Sequence, residues 1–459
     1  HDTAVARIYY ARTHEFWRKE EKYDFLDQAQ DWQGIEWQEI QPDAKHTWLT
    51  EGLQTEFEDF LPIGTKDAKA GEGNALFENY SNGVKTNRDV WVYNFDRDVL
   101  AQNVSRMINV YNGQVRRWEK QSTIVKLNDF VNNDPNQIGW SAGLKLLLKR
   151  YKLLTFDDSK LTKAFYRPFT QKWLYYDADL NERRYQMPSI FPIPEVENRI
   201  IWVKVGSDWP IFALIINKIP DLLPQGGSQC FPFYTYDPIT PSPAHPPTPT
   251  RHENITDWAL EQFRAAYQSA IRNPQSAIEK WDIFHYVYAL LHHPIYRETY
   301  AANLRRELPR IPFVRPSHFW PLVQAGQRLA HIHVHYEEQP QYPLIHLENP
   351  DLPLNYRVEK MRLSKDKTSL HYNDFLTLGG IPPQVFDYKL GNRSALDWVI
   401  DQYQVKTDKR SGITNDPNNP EDETYILRLI KQVVTVSLET VDIVNGLPPL
   451  EIISTTNAL

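Results

Sequence analysis

Behind Asp96 the apolar residues Leu100, Val104, Met107, Ile108 and Tyr111 recur at three- and four-residue spacing, which predicts a helix whose first turn the aspartate caps. Ser141 opens a second helix, with Leu144, Leu147, Leu148 and Tyr151 inward and Lys145, Lys149, Arg150 and Lys152 mostly outward. The nearly continuous apolar runs at 199–205 and 211–216 read as strands, and residues 229–236 around Cys230 as a third. Residues 5–10 and Val90-Trp91-Val92-Tyr93-Asn94-Phe95 also read as strands, and residues 13–26 as a charged helix.

From 238 to 250 this patterning gives way to six prolines (238, 241, 243, 246, 247 and 249), an extended connection with no core of its own. Helical spacing resumes beyond it. Ser276 and Glu279 form a capping-box pattern ahead of Phe284, Val287, Tyr288 and Leu291. Pro294 starts another helix, with Tyr296, Tyr300 and Leu304 inward, that should end before Pro309. The last third returns to strands and then to a closing helix near 425–435. Within it, His331-Ile332-His333-Val334-His335 reads as a strand, with three histidines sharing one face. That face suits a metal, but the preferred reading is a polar face opposite buried Ile332 and Val334, with no metal. The fold class expected is α+β, mixed sheets with packed helices and a helical segment in the middle. The divisions fall at 1–75, 76–237, 238–254, 255–315 and 316–459.

At 459 residues, two or three packed units are expected. A single cysteine removes any disulfide framework and favours a reducing, cytoplasmic setting. No long apolar run or export signal is found, so no membrane is expected. The opening at His1 rather than methionine suggests a fragment. A formal net charge of -7 argues against a general nucleic-acid coat. One window departs from it: residues 145–184 hold ten bases against five acids, a local +5.

Inside that window lies an aromatic, basic and amide-rich stretch at 165–177, continuing through Asn181, Arg183 and Arg184 to Phe191-Pro192. Aromatic faces stack on bases or sugars, and Arg and Lys neutralise phosphates or reach guanine. Upstream, Gly83-Val84-Lys85-Thr86-Asn87-Arg88 reads either as a loop gripping a DNA backbone or as a turn with solvated charges. It is not a phosphate-binding loop of the Walker type, because its lysine does not follow glycine directly.

The block Tyr166-Arg167-Pro168-Phe169, then Trp173-Leu174-Tyr175-Tyr176-Asp177, then Arg183 to Phe191-Pro192 resembles the specificity region of type ISP restriction-modification enzymes. So do Tyr286-Val287-Tyr288-Ala289-Leu290-Leu291 through Arg297, Leu308-Pro309-Arg310-Ile311-Pro312, Tyr388-Lys389-Leu390-Gly391 and Ser411-Gly412-Ile413-Thr414. Those enzymes join a nuclease, an ATP-driven motor, an adenine-N6 methyltransferase and a C-terminal target-recognition domain in one bacterial polypeptide. The resemblance implies that residues 1–75 end the methyltransferase domain and that the remainder reads a short site in double-stranded DNA. It also implies that upstream methyltransferase and motor domains are partners.

The residues assigned to DNA are Lys85, Asn87 and Arg88, with Arg167, Lys172, Tyr175, Tyr176, Asn181, Arg183 and Arg184. A competing reading gives Arg167 and Tyr176 to the fold. No catalytic residue is assigned, since methyltransferase, motor and nuclease motifs are all missing from the sequence. No cofactor is expected in this chain; S-adenosylmethionine, ATP and magnesium would belong to the parent enzyme. A carbohydrate-binding protein, suggested by 14 Trp and 25 Tyr, and a helical interaction scaffold at 257–308 are the rivals.

Overall fold

The computed structural model describes residues 6–13, 17, 19–42, 46, 48–50, 52–121, 125–193, 196–204, 210–224, 226–238, 249–268 and 277–453. The chain forms two compact units, His1–Thr55 and Glu56–Leu459. In the smaller, β1 (Ile8–Tyr10) pairs antiparallel with β2 (Gln38–Ile40), and α1 (Lys19–Ala29) lies between them in sequence. No described side chain of this unit is buried. Val5, Arg18 and part of the helix predicted from residue 13 lie outside the described residues.

The larger unit opens with β3 (Leu61–Pro62), α2 (Lys66–Lys69), β4 (Ser81–Asn82), α3 (Asp89–Val92), β5 (Tyr93–Asn94) and α4 (Arg97–Glu119). Residues 56–75 therefore belong to the larger unit. Asp96 caps α4 by accepting from Val99 N at 2.8 Å, and all five predicted inward residues are buried. The strand predicted at 90–95 is corrected to a helical turn followed by two strand residues. Trp91 N donates to Arg88 O at 2.8 Å, and Thr86 Oγ1 donates to Asp89. These bonds curl the segment's start and bury Trp91 and Val92.

After α5 (Leu127–Phe130), α6 (Ala142–Lys149) is capped by Ser141, whose Oγ accepts from Leu144 N at 3.2 Å. Leu144 and Leu148 are buried as predicted. Tyr151 is 53% exposed instead of inward, since the helix has ended and this residue adopts a φ of 56°. Then come β6 (Leu161–Arg167), β7 (Thr170–Tyr175), α7 (Met187–Ile190), β8 (Ile200–Lys204), β9 (Ala213–Ile216), β10 (Ile219–Pro220), β11 (Ser228–Pro232), β12 (Tyr234–Tyr236) and β13 (Arg251–Glu253).

Two four-stranded sheets result, in the orders β10-β6-β7-β5 and β4-β11-β8-β9. The first is mixed, because β10 runs parallel to β6 while the other pairs are antiparallel. The second divides two cores. Ile201, Val203, Ala213 and Ile215 face one, while Ile200, Trp202, Leu214 and Ile216 face the other. Burial on both faces is why these runs are continuously apolar in sequence.

The proline run does not separate compact units: Phe233 before it stacks on Trp281 after it, 3.6 Å between centroids. Pro241, Pro243, Pro246 and Pro247, Val205 and Ser276 lie outside the described residues. The helical part comprises α8 (Asp257–Ala266), α9 (Lys280–Leu290), α10 (Pro294–Thr299), α11 (Ala301–Leu304) and, after β14 (Arg310–Ile311), α12 (Pro316–Val334). Glu279 caps α9, its N–H donating to Asp282 at 2.8 Å. Gly326 lets α12 approach α9 closely, since a Cβ there would meet His285 O at 1.9 Å.

The histidine strand is also corrected: residues 331–334 end α12. Helical spacing turns His333 inward, where its ring nitrogens bond Tyr288 OH at 2.6 Å and Thr440 Oγ1 at 2.8 Å. His331 and His335 lie outside with their rings tilted against each other, 5.1 Å between centroids. The chain closes with β15 (Ile345–Glu348), β16 (Arg362–Leu363), β17 (Ser369–His371) and β18 (Leu376–Gly379) in one antiparallel sheet, then α13 (Ala395–Gln402) and α14 (Tyr425–Asn445). The architecture is α+β. Among the described residues, no helix is long and apolar enough to cross a membrane.

Candidate nucleic-acid interface

Two loops far apart in sequence are tied edge to edge. Lys85 N donates to Arg183 O and Arg183 N to Lys85 O, both at 2.9 Å. On its other side the first loop is tied to the segment after β10, with Val84 N on Pro220 O at 2.8 Å and Leu222 N on Val84 O at 2.9 Å. Gly83 permits this approach, because a Cβ there would lie 2.3 Å from Asp221 O. Its role is close backbone packing, whereas the sequence suggested a turn. Asn87, exposed at the loop's tip, adopts a φ of 57°, which asparagine tolerates better than most residues.

The second loop is built from the inside. Asp177 Oδ1 accepts from Asp179 N at 2.8 Å and Leu180 N at 2.9 Å. Buried Asn181 accepts from Asp177 N at 2.9 Å and donates to Tyr175 O at 3.1 Å. Glu182 accepts from Gly143 N at the start of α6, 3.2 Å from both carboxylate oxygens. Arg88 locks the ensemble: its buried guanidinium donates to Gly139 O at 3.0 Å, to Leu180 O and to Ser141 Oγ. Burial lowers its pKa to about 10, against the opposing charges of Glu182 and Asp177. The loops therefore present exposed Asn87, Arg183 and Tyr185 and half-buried Lys85 and Arg184 from a fixed frame.

The other assigned residues lie on the β6–β7 hairpin or just after it. Arg167 donates to Asp221 at 3.0 Å, and its guanidinium lies 3.9 Å from the Tyr166 ring. Burial, reinforced by the nearby Asp89 charge, pushes Asp221 up to about 7 despite that partner. Lys172 is buried between the rings of Tyr166 and Phe95, 4.3 and 4.5 Å from their centroids. Burial, then repulsion from Arg167 and Lys406, lowers its pKa to about 7. Tyr175 is buried, its hydroxyl accepting from Asp157 N at 3.0 Å. The Tyr176 ring carries the Arg184 guanidinium at 5.2 Å.

The basic window thus divides. Lys152, Lys160 and Arg167 are paired with Asp179, Asp177 and Asp221 at 2.7, 2.6 and 3.0 Å. Among the described residues no carboxylate lies within ion-pair distance of Lys85, Arg183 or Arg184. Arg88, Lys172, Tyr175 and Asn181 spend their side chains inside the fold. Tyr185, at a φ of 50°, joins the exposed set with no sequence signal beyond its place after Arg184. Asp177 and Glu182, to which the sequence assigned no DNA contact, are the loop's internal ties.

The bridged loops of this α+β unit thus present cations from a fixed backbone frame, with no carboxylate partner among the described residues. The sequence profile of the Type ISP C-terminal specificity domain matches residues 75–429, and the chain belongs to that family. It is similar to the Type ISP restriction-modification enzyme LlaGI, solved as a nuclease-deletion mutant with a DNA substrate mimic. Identity is 31% and the TM-score 0.83, over 98% of this chain and 40% of that one. For the ATP-dependent Type ISP enzyme LlaBIII bound to DNA the values are 29%, 0.84, 97% and 28%. For a DrdV–DNA complex they are 34%, 0.83, 97% and 44%. The chain thus spans less than half the length of each of these proteins. No curated protein matches it.

Proposed function

We propose that this chain is a DNA target-recognition domain that docks on duplex DNA through the bridged loops. The observation that carries this is the reciprocal Lys85–Arg183 bridge, which holds cations from two loops on one frame. Lys85 and Arg183 suit phosphate contact, which fixes register, while Arg184, backed by the Tyr176 ring, is set to reach a base edge. Recognition would position one adenine for N6 methylation and direct restriction, with S-adenosylmethionine, ATP and magnesium used by other domains of the enzyme. Extruding that adenine costs a few kcal/mol, which the protein–DNA contacts offset.

The smaller unit supports the partner side of this reading. Trp32 and Trp48 are 68% and 58% exposed, and Tyr9, Tyr23 and Trp37 are exposed with them. So much bare aromatic surface on a unit with no buried side chain among its described residues is that of half an interface. Its other half, in this reading, is a methyltransferase domain. The test is selection from random duplexes with the 459-residue chain. Enrichment of one short asymmetric site is expected, and retention of duplexes without sequence preference would overturn target recognition.

A further inference from the structure

One end of α6 meets the bridged loops, where Gly143 N–H is bound by Glu182, the residue before Arg183. From Ala142 to Lys149 the same helix also lines a different surface. An open concavity of 770 Å3 is lined by Trp118, Leu127 and Leu146 and rimmed by Lys126, Lys145 and Lys149. Leu146 is 47% exposed, and Asn128 Oδ1 orients Lys145 by accepting from its Nζ at 2.9 Å. Arg117 flanks the site over the Phe130 ring, 5.3 Å from its centroid. Among the described residues no carboxylate pairs with Arg117, Lys126, Lys145 or Lys149, and none lines the concavity. In a chain of net charge -7 this is a concentration of positive charge, with the exposed acids Glu119 and Asp129 outside its lining.

We infer that this surface is a second, sequence-independent contact to the DNA backbone, seated on duplex beside the recognised site. Lysines around an apolar floor fit a sugar–phosphate strand, with ammonium groups for phosphates and Trp118, Leu127 and Leu146 for deoxyribose faces. Lys145 and Lys149 are one helical turn apart, about 6 Å, so they can meet neighbouring phosphates. An eight-residue helix is about 12 Å long. Along α6 the two surfaces are therefore separated by less than one turn of duplex, about 34 Å. This continuity favours DNA over an acidic protein partner. The inference rests on the proposed DNA-docking function and adds a flanking grip to it.

The test compares the unaltered chain with the triple variant K126A/K145A/K149A and the double variant K85A/R183A. Each is titrated with salt on a site-length duplex, a longer duplex and a scrambled longer duplex. The triple variant should reduce the log–log salt slope on long duplexes by about 2 to 3. Cognate and scrambled DNA should suffer alike, and the advantage of the longer duplex should vanish. Lysine-to-arginine changes at the same three positions should retain the slope, separating charge from fold. An unchanged slope in the triple variant, with a reduced one in the double variant, would overturn the flanking grip and leave the loop reading standing. Unchanged slopes in both, or no DNA binding by the unaltered chain, would overturn both. Undiminished DNA binding by the triple variant with loss of an acidic protein partner would assign the surface to that partner instead.

Discussion

The β6–β7 hairpin and the bridged loops carry the same kinds of side chain and treat them differently. On the hairpin, Arg167 is held by Asp221 and Lys172 lies between two aromatic rings, so both charges are spent inside the protein. On the loops, no carboxylate among the described residues pairs with Lys85, Arg183 or Arg184, and the backbones of Lys85 and Arg183 are secured instead. Basic and aromatic density in sequence therefore does not locate a nucleic-acid surface. What distinguishes the two regions is whether the cations themselves find a carboxylate or an aromatic cage inside the fold. Asp221 answers Arg167 and Asp177 answers Lys160, each also accepting a backbone N–H, and Glu182 accepts from Gly143 N, so that among the described residues no carboxylate is paired with Arg183 or Arg184.

Arg88 tests that contrast most severely, because it belongs to the loops in sequence and to the interior in structure. Arg88→Ala strips a donor from Leu180 O, Gly139 O and Ser141 Oγ at once. With roughly 1–3 kcal/mol for each buried polar group left unsatisfied, a loss of about 3 kcal/mol or more is expected in denaturant unfolding. A variant that unfolds at the unaltered midpoint yet fails to bind DNA would move Arg88 back to the DNA surface.

Lys172 gives the next largest effect, with the opposite sign. Its folded pKa of about 7 lies well below the ordinary lysine value. Below pH 7 both states hold the proton and the folded chain bears the full cost of a buried charge. From pH 7 towards 10 the folded state releases the proton first, so stability rises with pH. Lys172→Met keeps the packing against Phe95 and Tyr166 and should stabilise the chain by about 1–4 kcal/mol at pH 6. The gain should shrink by pH 9.5, and melting temperatures at the two values decide it. A lower melting temperature at both would mean that the ring contacts outweigh the burial of the charge.

Much of the fold is legible in the sequence, because local rules govern it. Asp96 and Ser141 cap the helices they were expected to cap, and the double-faced β8 and β9 announce themselves as apolar runs. Lys172 shares strand parity with buried Thr170 and Leu174, so a period of two points inward, but its aromatic neighbours suggested a stacking surface. The bridge between residues 85 and 183 is encoded by no spacing in the chain, since it depends on how two sheets set their connecting loops. The histidines misled for a different reason. Alternating His-Ile-His-Val-His satisfies a strand, and only continuation of the helix from Pro316 decides otherwise.

The smallest effects lie within the loops, where backbone grip and base reading part company. Lys85 and Arg183 flank the reciprocal bridge, so truncation to alanine leaves their backbone bonds intact and melting should not change. Each change should instead lower the log–log salt slope by about one, equally on cognate and scrambled duplexes. Arg184 is held over the Tyr176 ring, a preorganisation that suits bidentate contact with guanine. If it reads a base, Arg184→Ala costs about 1–3 kcal/mol on the selected site, relaxes preference at one position and spares scrambled DNA. Tyr176→Leu should reproduce part of that loss, because it removes the surface orienting the guanidinium without removing a charge. Equal losses on both duplexes for Arg184→Ala would place it with Lys85 and Arg183 as a phosphate contact. The base-reading side chains would then be sought at Asn87 and Tyr185, which the two loops expose from the same frame.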